Sequence, residues 1–263
     1  MAPDKTRRLT RSERILQELN RKGAVRVDDL AAALGVSAAT IRRDLSRLAK
    51  AGRLHRTHGG AVLSEPLLYE PFRHDSRFQD QVERFAGEKR RIGAAAAQLI
   101  EEGDTIALTP GTTTTQVARC IPSRQGLMVI TSTVNVAMEL ANRSELKVFV
   151  TGGFLRGRWF SLVGAAAARA MSQFFVDKVF IGVNGIDAER GLTAYDPDEA
   201  AFNQVMVGQA RRRIVVADHS KLGAVATCLI CLTGQVDLLI TDRGAPEEAV
   251  APFREKGIEV QLV

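Results

Sequence analysis

The stretch SAATIRRDLSRLAKAGRLHRTHGGAV, residues 37–62, concentrates arginine and histidine in one short segment and contains a single acid, Asp44. A solvated helix face usually mixes charges of both signs. A rotation of ~100° per residue places Ile41, Leu45 and Leu48 together on one side of a helix. Small, hydroxyl and guanidinium side chains occupy the opposite side: Ala39, Thr40, Arg43, Ser46 and Arg47, with Arg42 at the margin. This pattern predicts a helix with one face in a core and one basic face turned outward.

Two shorter helical patterns precede this segment. RSERILQELNRKG has apolar residues on one helical face, with Ser12 as a candidate N-cap and Gly23 as a stop signal. VRVDDLAAALGVS predicts a second helix, and Gly35 supplies the tight turn between two crossing helices. Ser37 is the candidate N-cap of the third helix. The spacing therefore predicts a helix-turn-helix.

Two strand-like runs, Leu54–Arg56 and Ala61–Leu63, follow the third helix and predict a hairpin, or wing. We expect the third helix to enter the DNA major groove, where arginine can donate two hydrogen bonds to guanine, and the wing to contact the phosphate backbone. The predicted DNA contacts are Ser37, Ala39, Thr40, Arg42, Arg43, Ser46 and Arg47 on the helix, and Arg53, Arg56 and His58 on the wing. A solvated basic helix is the alternative that charge alone leaves open.

The distribution of charge along the chain supports this assignment. The 263 residues carry a net charge of +6. Residues 1–63 hold 14 of the 36 Lys and Arg residues but only six of the 30 Asp and Glu residues, a net charge of +8, and the rest carries −2. Such asymmetry predicts a nucleic-acid-binding domain joined to a near-neutral body. We expect a DNA-binding domain over 1–63, a linker over 64–87 and a larger domain over 88–263.

Composition argues against several other classes of protein. The longest apolar run, Ile92–Ile100, is far shorter than the ~20 residues that cross a bilayer, and the N-terminus lacks the apolar core of a secretory signal. We therefore expect a cytoplasmic protein without a membrane partner. Cys228 and Cys231 form a lone C-x-x-C motif, which favours two largely buried cysteines over a zinc or redox site. No metal or cofactor is predicted.

The larger domain alternates strand-like apolar runs with helical segments. The predicted strands are Thr105–Thr109, Leu127–Thr131, Lys147–Thr151, Lys178–Val183, Arg213–Ala217, Asp237–Thr241 and Ile258–Leu262. This alternation predicts an α/β fold with a mostly parallel sheet covered by helices on both faces.

Polar, glycine-rich loops follow several of these strands, at the edge where α/β sheets bind ligands. TPGTTTT, at Thr109–Thr115, leads directly into a helix, and N–H groups at a helix N-terminus bind phosphate. The predicted effector contacts are Gly111, Thr112, Thr113, Thr114, Asn135, Gly152, Gly153, Asp218 and Lys221. We expect the threonines and Lys221 to hold a phosphate, and Asp218 and Asn135 to bind hydroxyl groups. Any one of these loops could be an ordinary cap or turn.

Motifs in both regions carry a family resemblance. The first region has T-I-R-R-D-L at Thr40–Leu45 and H-G-G-A at His58–Ala61, and the second has EKRRIG, PGTTT, VITSTVN, TGG, SLVG, DKVFIGVNGID, GLT and ADHSK in that order. The chain resembles the DeoR family of bacterial transcriptional regulators. That resemblance implies a winged helix-turn-helix that binds double-stranded operator DNA, and a sensor domain, similar to the ribose-phosphate isomerase fold, that binds phosphorylated sugars. Many members carry Asp where this chain has Thr109, so their effector cannot be transferred to it.

Three functions compete at this point. The first is a repressor of a carbohydrate-metabolism operon, a homodimer or homotetramer that responds to a phosphorylated sugar. The alternative is a sugar-phosphate isomerase-like enzyme with an accessory DNA-binding head, for which Asp218 and Glu199 are candidate bases. The paired carboxylate loops of such isomerases are not found in the sequence. A constitutive architectural DNA binder would leave the polar loops without a purpose. We therefore predict a repressor and no enzymatic activity.

Overall fold

The computed structural model describes residues 10–50, 53–57, 59–63, 76–157 and 159–263. The chain divides into two compact units, Met1–Leu67 and Leu68–Val263, which we call the first and the second unit. The linker bounds predicted from the sequence, 64–87, stay a prediction.

A small helical bundle with a three-stranded sheet forms the first unit. Its helices are α1 (Arg11–Lys22), α2 (Val27–Leu34) and α3 (Ala38–Lys50), and its strands are β1 (Ala24–Arg26), β2 (Leu54–Thr57) and β3 (Gly60–Leu63). β3 lies between β1 and β2 and pairs antiparallel with both. The predicted helices and wing hairpin are confirmed. β1 has no counterpart among the predicted strands, because three residues are too few to show a period.

Helix α1 begins after Thr10, so the predicted N-cap, Ser12, is wrong. Thr10 Oγ1 accepts the N–H of Glu13 (3.3 Å), and the Glu13 carboxylate accepts the N–H of Thr10 (2.6 Å). This capping box satisfies two N–H groups that lack intrahelical partners. Ser12 therefore lies within the first turn. Gly23 ends the helix as predicted, in the left-handed conformation with a φ of 76°.

The core of the first unit orients helix α3. The side chains of Ile15 and Leu19 from α1 and of Ile41 and Leu45 from α3 are fully buried, and Leu54 of β2 is nearly so. Because Ile41 and Leu45 lie one helical turn apart in this core, the opposite face of α3 is directed to solvent.

A parallel sheet organises the second unit. Its strands, with those of two smaller sheets, are β4 (Thr105–Leu108), β5 (Met128–Thr131), β6 (Lys147–Val150), β7 (Phe154–Arg156), β8 (Ser161–Val163), β9 (Val176–Ile181), β10 (Gly185–Asp187), β11 (Gly191–Ala194), β12 (Ala210–Val216), β13 (Cys228–Cys231), β14 (Leu238–Thr241) and β15 (Glu259–Leu262). The large sheet has the order β15-β14-β12-β9-β4-β5-β6, and every neighbouring pair is parallel. All seven predicted strands are found in it.

Helices cover both faces of this sheet, as predicted. They are α4 (Ser76–Glu83), α5 (Ala86–Gln98), α6 (Thr112–Cys120), α7 (Val134–Leu140), α8 (Ala165–Met171), α9 (Pro197–Gly208) and α10 (Glu247–Glu255). Successive side chains of a strand point to opposite faces. In β4, Ile106 and Leu108 join the apolar cluster that contains Ile92 of α5, whereas Ala107 joins the cluster that contains Met206 of α9.

Two small antiparallel sheets were not predicted. β7 and β8 form a hairpin, and β10, β11 and β13 form a three-stranded sheet. Thr133, which follows β5, forms a bridge with Ser161 of β8, so the hairpin lies at the carboxyl end of the large sheet. These strands span only three or four residues each, which is too short for a clear alternation of apolar and polar side chains.

Helices α5 and α6 approach closely at Gly93. A Cβ atom on Gly93 would lie 2.6 Å from the backbone carbonyl carbon of Gln116, a distance that real Cβ atoms do not adopt. Gly87, on the same helix, has only the flexible end of Arg91 near its Cβ position, at 3.6 Å. Glycine is therefore required at one position of α5 and not at the other.

We expect Gly93→Ala to destabilise the second unit by about 2–3 kcal/mol, because the added methyl group forces α5 and α6 apart. Gly87→Ala is the matched control and should stabilise it by about 0.5–1 kcal/mol. Urea unfolding followed by the fluorescence of Trp159, the single tryptophan of the chain, measures both changes in the second unit. Equal midpoints for the two variants would contradict the close approach of the helices.

Candidate functional site

The solvent-directed face of α3 carries the side chains that the helical pattern placed there. Ala39, Arg42, Arg43 and Arg47 are exposed, and Thr40 and Ser46 are partly exposed. Ser37 acts as the N-cap, since its Oγ accepts the N–H of Thr40 (3.2 Å). The contacts of these residues with DNA stay a prediction.

Asp44, the one acid of the segment, is directed away from this face. Its side chain is buried, and its carboxylate accepts hydrogen bonds from Arg11 Nε (2.5 Å) and Nη2 (3.3 Å). The pair joins α1 to α3 and compensates the charge of Asp44 within the first unit. Arg47 of the outer face also lies near this carboxylate, with 3.7 Å between its Nη2 and Asp44 Oδ1.

Hydrogen bonds restrain two of the basic side chains. Arg47 Nη2 donates to Ser12 Oγ (2.7 Å), and Arg56 Nη1 of the wing donates to Ser46 Oγ (2.9 Å). Ser46 Oγ donates in turn to the carbonyl of Arg42 (2.8 Å). These bonds connect the wing to α3 and reduce the freedom that the arginines would lose on binding a partner.

Of the two remaining predicted wing contacts, the structure describes Arg53 but not His58. Arg53 is partly exposed, and its N–H donates to the carbonyl of Leu48 (2.9 Å), which ties the start of the wing to the end of α3. His58 lies outside the described residues.

A cavity of about 400 Å³ in the second unit opens at the carboxyl ends of β4, β9 and β12. β4 and β9 are neighbours whose connections lead to opposite sides of the sheet, which is where open α/β sheets bind ligands. The lining residues are Gln81, Arg84, Lys89, Pro110–Thr113, Arg156, Trp159, Gly182–Asn184, Ala194–Asp196, Glu199, Val216–Asp218 and Lys221.

Five of the predicted effector contacts lie in this cavity wall: Gly111, Thr112, Thr113, Asp218 and Lys221. They come from the segments that directly follow β4 and β12, two strands that are separated in the sheet only by β9. The structure thus brings together residues more than a hundred positions apart in the chain. Their binding of an effector stays a prediction.

The other four predicted contacts are not in the cavity wall. Thr114 is fully buried and donates its hydroxyl to the carbonyl of Gly111 (2.9 Å). Asn135 is also buried, and its Nδ2 donates to Thr115 Oγ1 (2.7 Å). Gly153 packs against β8, where a Cβ would lie 2.6 Å from the carbonyl oxygen of Val163. Gly152 precedes it in the left-handed conformation, with a φ of 68°.

The cavity wall contains several hydrogen-bond donors and positive charges. Helix α6 begins after Gly111, and its first backbone hydrogen bond is donated by the N–H of Thr115 to the carbonyl of Gly111. The preceding amides, at the positive end of the helix dipole, can donate to an anion. Arg84, Lys89 and Lys221 add three cationic side chains to the same cavity.

Lys89 is the buried cation of this group. Only 3% of its surface is exposed, and its Nζ donates to the carbonyls of Gln81 and Arg84. Burial lowers the pKa of Lys89 to about 8, a shift that nearby Asp218 opposes. The ammonium is therefore held by two neutral carbonyl oxygens, and the carboxylate of Asp218, which also lines the cavity, favours its charged form.

A second group in the wall combines an arginine with two acids. Arg156 lies 2.8 Å from Asp196 and 3.7 Å from Glu199, measured between side-chain nitrogen and oxygen. Burial raises the pKa of Glu199 to about 7, Arg156 opposes the shift and Asp196 adds to it. Because it is half ionised near neutral pH, Glu199 can donate or accept a hydrogen bond.

Comparison with known families assigns both units. Residues 11–66 match the DeoR-like helix-turn-helix domain, and residues 84–243 match the DeoR C terminal sensor domain. The chain belongs to the DeoR family. The resemblance that the sequence motifs carry is thereby confirmed, and with it the functional class of a DNA-binding transcriptional regulator.

Curated relatives of this DeoR-family chain are similar over almost its whole length. It is 36% identical over 255 residues to a putative aga operon transcriptional repressor of Escherichia coli O157:H7, which covers 96% of this chain and 93% of the relative. Identity to the HTH-type transcriptional repressor CsqR of Escherichia coli K12 is 33%, covering 96% and 94%. Identity to the glycerol-3-phosphate regulon repressor of the same strain is 32%, covering 94% and 96%.

Solved structures show weaker similarity. The full-length sorbitol operon regulator SorC of Klebsiella pneumoniae superposes with a TM-score of 0.43 at 15% identity, covering 96% of this chain and all of the other. Ribose 5-phosphate isomerase A of Methanocaldococcus jannaschii gives a TM-score of 0.38 at 16% identity, covering 51% and 52%.

Thr109, where many DeoR-family members carry Asp, does not line the cavity. It is fully buried, and its Oγ1 accepts the N–H of Gly182 (2.9 Å). This bond joins the loop that follows β4 to the loop that follows β9. In this chain, Thr109 contributes to the site by holding the two loops together.

Several lining residues of this DeoR-family sensor were missed at the sequence level. Lys89 and Asn184 lie within the motifs EKRRIG and GVNGID, which indicated the family but not a role for either residue. Asp196 is the N-cap of α9, and its side chain accepts the N–H of Glu199 (2.9 Å), a signal that DPDE in the sequence shows. No sequence motif around Arg156 indicates a binding residue. The unpredicted β7–β8 hairpin, which follows β6, brings its side chain to the cavity.

The cysteines offer no reactive thiol pair in the part of the chain that the structure describes. Cys228 and Cys231 lie on β13 as free thiols, and burial raises the pKa of Cys231 to about 11. Among the described residues, no cluster of three His, Cys, Asp or Glu side chains is placed to hold a metal, and none of the helices has the length and apolarity to span a bilayer.

The electrostatic balance at Glu199 can be tested directly. We expect Asp196→Asn to lower the pKa of Glu199 below about 7, because it removes a neighbouring negative charge and keeps the N-cap oxygen. Arg156→Met should raise this pKa, because it removes the opposing cation. Carboxyl NMR of protein labelled at glutamate follows both titrations, with exposed Arg190→Met as the control that leaves the pKa unchanged. Shifts of the Glu199 pKa in the opposite directions would contradict the proximity of Arg156 and Asp196 to its carboxyl group.

Proposed function

We propose that this DeoR-family regulator represses a carbohydrate-metabolism operon and that a phosphorylated sugar or polyol in its cavity controls DNA binding. The observation that carries the proposal is a cavity whose wall combines the α6 amides and cationic side chains with the Arg156, Asp196 and Glu199 group. Its volume lies within the ~300–1,000 Å³ of small-molecule sites. Relatives named as repressors of the aga operon and of the glycerol-3-phosphate regulon support it.

Each group in the cavity has a chemical counterpart in such an effector. A phosphate accepts hydrogen bonds from the α6 amides and from Lys221, as a charge-assisted set. Hydroxyl groups donate to the carboxylates of Asp196 and Glu199 and accept from Arg156. Trp159 and Tyr195 are more than a third exposed and supply apolar surface for the carbon skeleton.

We propose that the chain binds its effector without converting it. A carboxyl group with a pKa of about 7 can serve as a general base, so Glu199 is the residue that the isomerase alternative would use. The relatives are named as regulators, which favours binding alone. Assaying the purified protein for ketose–aldose interconversion of sugar phosphates tests this, and turnover that Glu199→Gln abolishes would favour the enzyme.

We propose a homodimer or homotetramer acting on chromosomal DNA in the cytoplasm. Two recognition helices of such an assembly would read half-sites one DNA turn apart, about 34 Å. Light scattering of the full chain, with and without operator DNA, tests the oligomeric state.

Arg43→Ala tests the recognition helix. Arginine that contacts a guanine edge contributes about 1–3 kcal/mol, so operator affinity should fall roughly 5- to 150-fold. Fluorescence anisotropy of a labelled fragment from upstream of the protein's own gene, at fixed salt, measures the loss. Arg190→Ala removes the same charge from an exposed site on the second unit and should leave affinity unchanged. Normal operator binding by Arg43→Ala would rule out base contacts by this residue.

Lys221→Met tests the cavity. We expect operator affinity to be unchanged and the effector concentration for half response to rise at least about tenfold, because a charged hydrogen bond to phosphate contributes about 1.5–3 kcal/mol. The same anisotropy assay is run with a panel of phosphorylated sugars and polyols and their unphosphorylated forms. Lys147→Met removes an exposed cation at the opposite, amino end of β6 and is the matched control. An unchanged response in Lys221→Met would place the phosphate elsewhere.

A further inference from the structure

Lys89 caps the end of helix α4. Its Nζ donates to the carbonyl of Gln81, in the last turn of that helix, and to the carbonyl of Arg84 just beyond it (2.8 Å). The last four carbonyls of a helix lack intrahelical partners, and a cation there also interacts favourably with the helix dipole. Lys89 itself belongs to α5, so its side chain binds the two helices together across their turn.

The same ammonium lies in the cavity wall. An ammonium has three N–H donors, and the carbonyls of Gln81 and Arg84 occupy two of them. The charged groups that influence Lys89 are Asp218, Lys221, Arg84 and Glu88, of which the first three also line the cavity. An anion bound there adds a negative charge beside a cation that neutral oxygens hold.

Other contacts hold the turn between α4 and α5 against the second unit. Phe85 adopts a left-handed backbone with a φ of 55°, and its ring packs edge-on against that of His219, with 4.6 Å between centroids. His219 Nδ1 hydrogen-bonds to Asp242 (2.8 Å). The turn therefore packs against His219, which follows the cavity-lining residue Asp218 in the sequence.

Helix α4 is the described element that follows β3 in the sequence, and residues 64–75 separate the two elements. We infer that Lys89 is a positioning residue through which an anion in the cavity strengthens the attachment of α4 to α5. This inference rests on the proposed function. It makes α4 the helix by which a bound effector acts on the chain that leads to the DNA-binding unit.

The physical reason for this strengthening is the protonation of Lys89. Because the pKa of Lys89 is lowered to about 8, part of the population is neutral at and above that pH. A nearby anion favours the protonated form, and the ammonium binds carbonyl oxygens more strongly than the amine does.

Hydrogen–deuterium exchange of the full-length protein tests the inference, with inorganic phosphate as the probe and sodium chloride of equal ionic strength as the reference. Calorimetry measures phosphate binding in parallel. We expect phosphate to slow exchange of the α4 amides in the wild type and in Lys89→Arg, and this protection to be lost in Lys89→Met. Arg91→Met removes a cation from the same helix, outside the cavity wall, and should retain the protection.

The outcomes separate a positioning role from a merely structural one. Loss of a helix cap alone would speed exchange of α4 in Lys89→Met equally with and without phosphate, and equal protection in that variant and the wild type would overturn the inference. Phosphate binding without protection of α4 in the wild type would also overturn it and leave the proposed cavity intact. Absence of any phosphate binding would remove the proposed site and this inference together.

A pH series gives a second readout, with sulfate as the probe because its charge is constant over the range used. Protection of α4 in the wild type should decline as the pH rises above about 8, because Lys89 loses its proton at about 8 without a ligand and at a higher pH beside the bound anion. Lys89→Arg should show no such decline, because guanidinium remains charged. The same decline in both proteins would assign the titration to another group and overturn the role of Lys89.

Discussion

The parallel pairing of β4 with β9 is the constraint on which the binding cavity depends. The chain leaves β4 through α6 toward β5 and leaves β9 toward β12, so the two connections diverge and open a crevice at the carboxyl edge of the sheet. Thr109 and Gly182 hold the two strand ends together by a hydrogen bond. Gly182 also permits close approach, since a Cβ there would lie 3.1 Å from the carbonyl oxygen of Pro110.

Internal partners determine which charges in this cavity are available to a ligand. Arg156 is paired with the carboxylate of Asp196, whereas Lys89 donates to neutral backbone carbonyls, which hold the ammonium without compensating its charge. The α6 amides are dipolar donors that cost no reorganisation when an anion arrives. The amides and the Arg156–Asp196 pair are therefore already held in position by the strands and helices of the second unit before any ligand arrives.

The sequence predicts the large sheet more completely than the site. Parallel strands are buried on both faces and read as continuous apolar runs, so all seven could be found. Gly111 and Lys221 could be assigned to one site because each closely follows such a strand. Arg156 lies at the end of a hairpin strand and Lys89 within a helix, not in a loop directly after a predicted strand, so only the tertiary structure places them in the cavity wall. Thr10, by contrast, could have been preferred to Ser12, because T-x-x-E is a readable capping box.

The cations of the two units lie in different dielectric surroundings, exposed on α3 of the first unit and buried at Lys89 in the second. The arginines of α3 are exposed, and salt screens exposed charges over a Debye length of about 8–10 Å, so DNA binding must weaken as ionic strength rises. Lys89 is buried, where screening by salt is much weaker. A change in ionic strength is therefore expected to affect the exposed arginines of α3 more than the buried ammonium of Lys89. If a ligand in the cavity controls DNA binding as proposed, that control would act in surroundings that salt screens less than it screens the DNA-binding face.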